Sequence, residues 1–175
     1  MQTILVTGGC GYIGAHTIVD LIEHGFDVIS ADNLSRASDN SFLGIEKITG
    51  KKIKNYQVDL TDKKATETIF IENPSIIGII HFAAYKAVGE SVEKPLEYYE
   101  NNLFSLVHLL NMSAKYNAKH FIFSSSCTVY GNPNTIPVTE DTPYRLPPLL
   151  MALPSKWEKP LLETLRSVIH YLPSF

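Results

Sequence analysis

From residue 3 onward, short unbroken apolar runs alternate with longer stretches whose apolar residues recur every three or four positions. The run "TILVTGG" is rich in β-branched residues and stops at glycines, which predicts a buried parallel strand. "YIGAHTIVDLIEHG" places Ile13, Thr17, Leu21 and Ile22 at helical spacing and ends on Gly25, a natural helix stop. "FDVISAD" predicts a second strand and "NLSRASDNS" a polar loop after it. "KNYQVDL" predicts a third strand, "DKKATETIFIEN" a helix and "SIIGIIHFAA" a fourth strand. "PLEYYENNLFSLVHLLNMSAKYN" predicts one long helix opened by Pro95, with Leu103, Leu106, Leu110 and Met112 on its apolar side. "KHFIFSSS" predicts a fifth strand. Strands alternating with helices imply an α/β fold, a doubly wound parallel sheet covered on both faces through right-handed crossovers.

Totals narrow the function classes. The chain has 175 residues, 45% hydrophobic and 19% charged, with a net charge of −3. That balance gives no reason to expect nucleic acid or an anionic membrane as partner. Cys10 and Cys127 are too far apart to resemble a metal-binding pair. The start "MQTILVTGG" has no basic leader region, and its apolar run is far too short for a bilayer. The expectation is a cytoplasmic chain with free thiols.

The chemistry concentrates at strand ends. "TGGCGYIG" sets Gly8, Gly11 and Gly14 three residues apart between the first strand and the first helix. Glycine lets backbone N–H groups approach a pyrophosphate, and the helix N-terminus adds partial positive charge. The strand–turn–helix context is what gives the spacing meaning. Asp32 ends the second strand, where a carboxylate accepts hydrogen bonds from the adenosine ribose and repels a 2′-phosphate. The expected cofactor is therefore NAD rather than NADP. Asp59 ends the third strand and could reach the adenine amino group.

These motifs together resemble the extended short-chain dehydrogenase/reductase family, and within it the UDP-hexose 4-epimerases. The resemblance is carried by "VTGGCGYIGAHT", "ADNLS", "VDL", "IHFAAYKAVGESVEKPLEYYENN" and "FIFSSSCTVYG". It implies that Tyr12 and Ile13 contact the NAD pyrophosphate, that Asp32 and Asn33 hold the ribose, and that Asp59 and Leu60 line the adenine site. It further implies cofactor contacts from Phe82, Ala83, Ala84, Lys86 and Asn101, and a hydrogen bond from Ser126 to the sugar 4-hydroxyl. Simpler roles compete: Phe82 and Ala83 as core, Lys86 as a solvated cation, Asp32 as a loop acid. The implied reaction is the NAD-dependent interconversion of UDP-glucose and UDP-galactose in galactose metabolism, its base the tyrosine of a Tyr-x-x-x-Lys pair. Other nucleotide-sugar epimerases or 4,6-dehydratases of the family are alternatives. The dehydratases carry Thr-Asp-Glu after the fifth strand, where this chain reads "SSSCT".

After Pro143 the pattern changes. The resemblance places the catalytic tyrosine near residue 151, inside Ser-Pro-Tyr-Gly-x-Thr-Lys-x-Met-Gly-Glu, but the chain reads "PLLMALPSKWEK". Back-translating Pro148 to Lys159 and reading one base earlier gives that family segment under suitable third-base choices. Its two glycines come from the Met151–Ala152 and Trp157–Glu158 codons whatever those choices are. The expectation is a frame shift near Pro143 and Tyr144, with residues 1–143 a Rossmann-like NAD-binding domain. Residues 144–175 are then an aberrant, irregular or partly helical tail. Such a chain lacks the catalytic pair, the sugar-binding part and the family's homodimer contacts, leaving an NAD-binding module without catalysis as the competing function.

Overall fold

The computed structural model describes residues 2–124, 130 and 133–143, which fall into two units divided between Phe123 and Ser124. The first unit holds five parallel strands: β1 (Thr3–Thr7), β2 (Asp27–Ala31), β3 (Lys54–Tyr56), β4 (Ile76–His81) and β5 (His120–Phe123). Their order is β3-β2-β1-β4-β5, the doubly wound arrangement expected from the alternating pattern. β1 is central and all five of its residues are buried, which is why "TILVT" is apolar or β-branched at every position.

Successive strand residues face opposite sides. Ile4, Val6 and Val28 pack with Ile18 and Ile22 of α1 (Tyr12–Glu23) and Ile45 of α2 (Asn40–Thr49). The crossover helices α3 (Lys63–Glu72) and α6 (Ser105–Tyr116) pack on each other, with Phe70 stacked on Tyr116 at 5.7 Å between ring centroids. Asp62 caps α3, its carboxylate accepting from the N–H groups of Lys64 and Ala65.

Several elements differ from the sequence expectation. The predicted loop "NLSRASDNS" ends early, at Asp39, and the chain turns helical from Asn40: α2 buries Ile45, carries Lys47 in its last turn and ends on Gly50 at φ 71°. Its faint apolar stripe falls between two strands and hides among polar residues. The third strand stops at Tyr56 rather than Leu60. In α1 the buried stripe is Gly14, Ile18 and Ile22, while Ile13 is exposed.

The long helix from Pro95 is real but composite. A short helix α4 (Val88–Glu93) precedes α5 (Pro95–Tyr99), a π-helical segment (Glu100–Phe104) and then α6. A π turn inserts extra backbone and shifts the helical phase. The buried face of α6 is accordingly Leu106, Leu109 and Met112, with the predicted Leu103 and Leu110 only half-buried.

In the second unit, the described residues 133–143 are mostly exposed and include a cis Ile136–Pro137 bond. The predicted tail, Ser126, Tyr144 and the catalytic segment lie outside the described residues.

Candidate functional site

A cleft of about 300 Å³ opens at the carboxyl ends of β1, β2, β3 and β4, where the strand order reverses direction. Every cofactor residue named from the sequence lines it. Gly8, Gly11, Tyr12, Ile13 and Gly14 come from the β1–α1 turn, and Asp32 and Asn33 follow β2. Asp59 and Leu60 follow β3, Phe82, Ala83, Ala84 and Lys86 follow β4, and Asn101 comes from the π segment.

The glycine turn is built for close approach. Gly8 has φ 70°, and a Cβ there would meet the Ala83 nitrogen at 2.9 Å. A Cβ at Gly14 would lie 2.2 Å from the Gly8 carbonyl oxygen. Helix α1 therefore begins tight against the turn. Its N-terminus has no side-chain cap and no acid in the first turn, so the N–H groups of Tyr12, Ile13 and Gly14 face the cleft without an intrahelical partner. Helix α2, the element missing from the sequence reading, braces this turn: Ser41 Oγ donates to the Cys10 carbonyl at 2.7 Å.

Asp32 is pre-oriented. One carboxylate oxygen accepts from the Cys10 N–H at 3.0 Å and the other from the Leu34 N–H at 2.9 Å. Asn33 closes the next turn by accepting from the Ser35 N–H at 3.0 Å. Together these hold Leu34 at φ 60°, a left-handed backbone that leucine rarely takes. Strain of this kind is characteristic of ligand-binding loops. Asp59 binds Thr61 through both the N–H and the hydroxyl, at 2.9 and 2.7 Å, which leaves its second oxygen for the cleft.

A buried polar link joins the ends of β1 and β4. The Ala83 N–H donates to Thr7 Oγ1 at 3.4 Å, and Thr7 Oγ1 lies 2.6 Å from His81 Nδ1. Thr7 Oγ1 thus ties the Ala83 N–H and the His81 imidazole to one hydroxyl. Burial, and secondarily the charge of Lys86, pushes the His81 pKa down to about 4, so the ring is neutral near pH 7. The link keeps Phe82 and Ala83 in register with Gly8.

The loop after β4 is clamped from the π segment. Asn102 accepts from the Tyr85 N–H at 2.8 Å and donates to the Tyr85 carbonyl at 3.1 Å, while Asn101 donates to Asn102 at 2.9 Å. The π turn brings Asn101 to the cleft and Asn102 onto the loop after β4, while α6 keeps Leu106 and Leu109 buried. The sequence reading missed Ser35, Arg36, Tyr85 and Ser105, all of which line the cleft. Arg36 and Tyr85 were legible in principle, as the polar and aromatic neighbours of Asp32 and Lys86 on their loops.

The cleft therefore combines a glycine turn at a helix N-terminus, the carboxylates of Asp32 and Asp59 and the cations Arg36 and Lys86 at the switch point of the sheet. The residues present fit a dinucleotide. Among the described residues, no helix is long and apolar enough to cross a membrane.

Residues 5–148 match the family model described as GDP-mannose 4,6 dehydratase. The chain is 50% identical over 140 residues to the UDP-glucose 4-epimerase of Dictyostelium discoideum, covering 80% of this chain and 40% of that protein. It is also 50% identical over 142 residues to the UDP-glucose 4-epimerase of Bacillus subtilis, covering 81% of this chain and 42% of that protein. The solved UDP-glucose 4-epimerase of Bifidobacterium longum in complex with NAD+ and UDP superposes with a TM-score of 0.82 at 44% identity, covering 95% of this chain and 50% of that one. The chain thus spans about two fifths of the length of the curated relatives it matches.

Proposed function

Since the chain belongs to the GDP-mannose 4,6 dehydratase family, we propose that it is the NAD-binding part of a UDP-hexose 4-epimerase. The observation that carries this reading is the convergence of every sequence-named cofactor residue on one cleft at the switch point of the sheet. The relatives at 50% identity are epimerases, which favours that branch over the dehydratase of the family's name. The absence of an acid in "SSSCT" argues the same way.

In this reading the N–H groups of Tyr12, Ile13 and Gly14 bind the pyrophosphate, with Lys86 adding positive charge. Asp32 and Asn33 take the adenosine ribose, and Asp59 and Leu60 flank the adenine. Phe82, Ala83, Ala84 and Asn101 position the remainder. Bound NAD supplies a reversible hydride acceptor for the sugar C4. Ser126 hydrogen-bonds the sugar 4-hydroxyl of a UDP-hexose. The proton-abstracting tyrosine and its lysine are missing from residues 144–175, which we read as an out-of-frame rendering of the catalytic helix. In this reading the domain is residues 1–143 and it works in the cytoplasm.

A module that holds NAD without catalysis is the second reading, favoured by the same missing Tyr-x-x-x-Lys pair. Titration of the 175-residue chain with NAD and NADP tests the cofactor assignment. NAD should bind more tightly, and Asp32→Ala should weaken NAD binding and narrow the preference. Equal affinity of the unaltered chain for both nucleotides would sink it. Under either reading the chain as written should turn over no UDP-galactose, because a positioned acid–base group contributes ~10²–10⁴-fold; the assay separates the two readings only when it is run on the frame-restored gene. The gene with its frame restored should interconvert the two sugars. If no one-base change gives an epimerase-like reading beyond codon 143, the frame-shift account fails.

A further inference from the structure

Arg36 and Glu90 form an ion pair between two cleft-flanking segments that the sequence motifs do not announce. Arg36 Nη2 lies 2.8 Å from Glu90 Oε1 and 2.8 Å from Oε2. Glu90 belongs to α4, and its Oε2 also accepts the Tyr98 hydroxyl at 2.8 Å. The guanidinium sits over the Tyr85 ring, with Cζ 4.7 Å from the centroid, and Tyr85 packs edge-on against Tyr98 at 5.4 Å. Arg36 thus has an ion pair and a stacked face holding it in one place. These ties make it a stiffer arrangement than an ordinary surface pair.

Arg36 lines the cleft and lies on the same loop as Asp32, where it is the one base between β2 and α2. In folds of this type an acid at the end of the second strand selects a free ribose, whereas an arginine nearby accommodates a 2′-phosphate. This loop holds both. A guanidinium makes strong paired bonds to phosphate when its donors are available. Here Nη2 is directed at both carboxylate oxygens of Glu90, which fixes where the guanidinium sits.

We infer that Glu90, which itself stands outside the cleft, is a positioning residue for cofactor selectivity: by holding Arg36 it keeps from the ribose the guanidinium that a 2′-phosphate would use. The assignment rests on the dinucleotide reading of the cleft. Asp32 and Glu90 then act together, the first by repelling the 2′-phosphate directly and the second by occupying the cation that would attract it. From α4, Glu90 therefore controls a discrimination made on the β2–α2 loop, through one arginine.

The test is a set of equilibrium titrations of the full chain with NAD and with NADP. The variants are Glu90→Gln, Arg36→Met and the double variant. Glutamine keeps the length and an acceptor for Tyr98 but gives up the charge. Glu90→Gln should raise NADP affinity relative to NAD by roughly tenfold, the worth of about one charge-assisted hydrogen bond. The double variant should lose that gain, and Arg36→Met alone should show none. A merely structural role for Glu90 would weaken both nucleotides equally and leave their ratio unchanged. An unchanged ratio in Glu90→Gln, or a gain that survives Arg36→Met, overturns the inference while leaving the NAD reading intact. Failure of the unaltered chain to bind either nucleotide overturns both. NAD affinity within each variant reports whether it has folded, so a misfolded protein is not mistaken for a loss of selectivity.

Discussion

Gly14→Ala and Gly44→Ala are the same chemical change at two helical positions, and the structure predicts opposite signs. A Cβ at Gly14 would lie 2.2 Å from the Gly8 carbonyl oxygen, 2.9 Å from Gly9 Cα and 3.0 Å from the Gly8 carbonyl carbon. All three are backbone atoms, so no side chain can rotate away. Carbon–oxygen contacts of this type normally stand at about 3.3 Å or more, so α1 must retreat from the turn by about 1 Å. Overpacking of this kind costs ~1–3 kcal/mol, and the fixed backbone puts Gly14 at the upper end. Alanine's better helix propensity returns about 1 kcal/mol, for a net loss of ~2 kcal/mol. At Gly44, inside α2, a Cβ would meet nothing within 4 Å. There the substitution should gain ~0.5–1 kcal/mol. At about 2–4 °C per kcal/mol for a chain of this size, Gly14→Ala should lower Tm by ~4–8 °C and Gly44→Ala raise it by ~1–4 °C. Calorimetry with and without NAD is the assay. Gly14→Ala should also lose most of the NAD-induced rise in Tm, because the helix N-terminus has moved, while Gly44→Ala should keep it. A Gly14→Ala protein as stable as the parent, with its NAD response preserved, would refute the reasoning.

Three further outcomes follow from other parts of the fold. Asp62→Ala removes the acceptor for the Lys64 and Ala65 N–H groups, at 2.8 and 3.1 Å. It should cost about 1 kcal/mol, seen as a lower urea midpoint with an unchanged m-value; an unmoved midpoint would show that the cap is immaterial. His81, with its pKa lowered from 6.5 to about 4, must stay neutral to remain buried. The unfolded chain binds this proton more readily, so stability should fall as pH drops from 6.5 toward 4, by an amount on the order of 3 kcal/mol. Urea titrations across that window should show the slope, and His81→Gln should flatten it; equal slopes would remove His81 as the cause. Burial, then Asp32 and Asp39, pushes the Cys10 thiol up to about 12, so alkylation mapped by mass spectrometry at pH 8 should label Cys10 slowly unless the chain is unfolded.

The parallel sheet was legible because buried parallel strands must be apolar on both faces, and "TILVT" and "IIGIIH" are. The cleft was legible because it hangs from the ends of those strands, so that motifs far apart in sequence converge once the sheet is drawn. Helix α2 was hidden because only Ile45 of its ten residues is fully buried, leaving too thin a stripe for periodicity to find. The face of α6 was misjudged for a different reason: the π segment slips the phase, and a rule of 3.6 residues per turn carries Leu103 forward to Leu110 instead of Leu109. The pairing of Arg36 with Glu90 stayed invisible because it joins the β2–α2 loop to α4 across 54 positions. Nothing local marks either residue as the other's partner.

The central place of β1 gives the chain a timetable during synthesis. β1 leaves the ribosome first and gains β2 soon afterward, but its other neighbour is β4, and Thr7 meets His81 across 74 positions. At ~5–20 residues per second, a strand buried at every position in the finished sheet waits ~4–15 s with one hydrogen-bonding edge open. A strand edge left unpaired for that long is an invitation to a neighbouring nascent chain. Slowing translation between Gly50 and Ile76 lengthens that exposure, whereas slowing it beyond β4 does not. Codon choice in that interval should therefore govern the soluble yield of a protein whose sequence is unchanged.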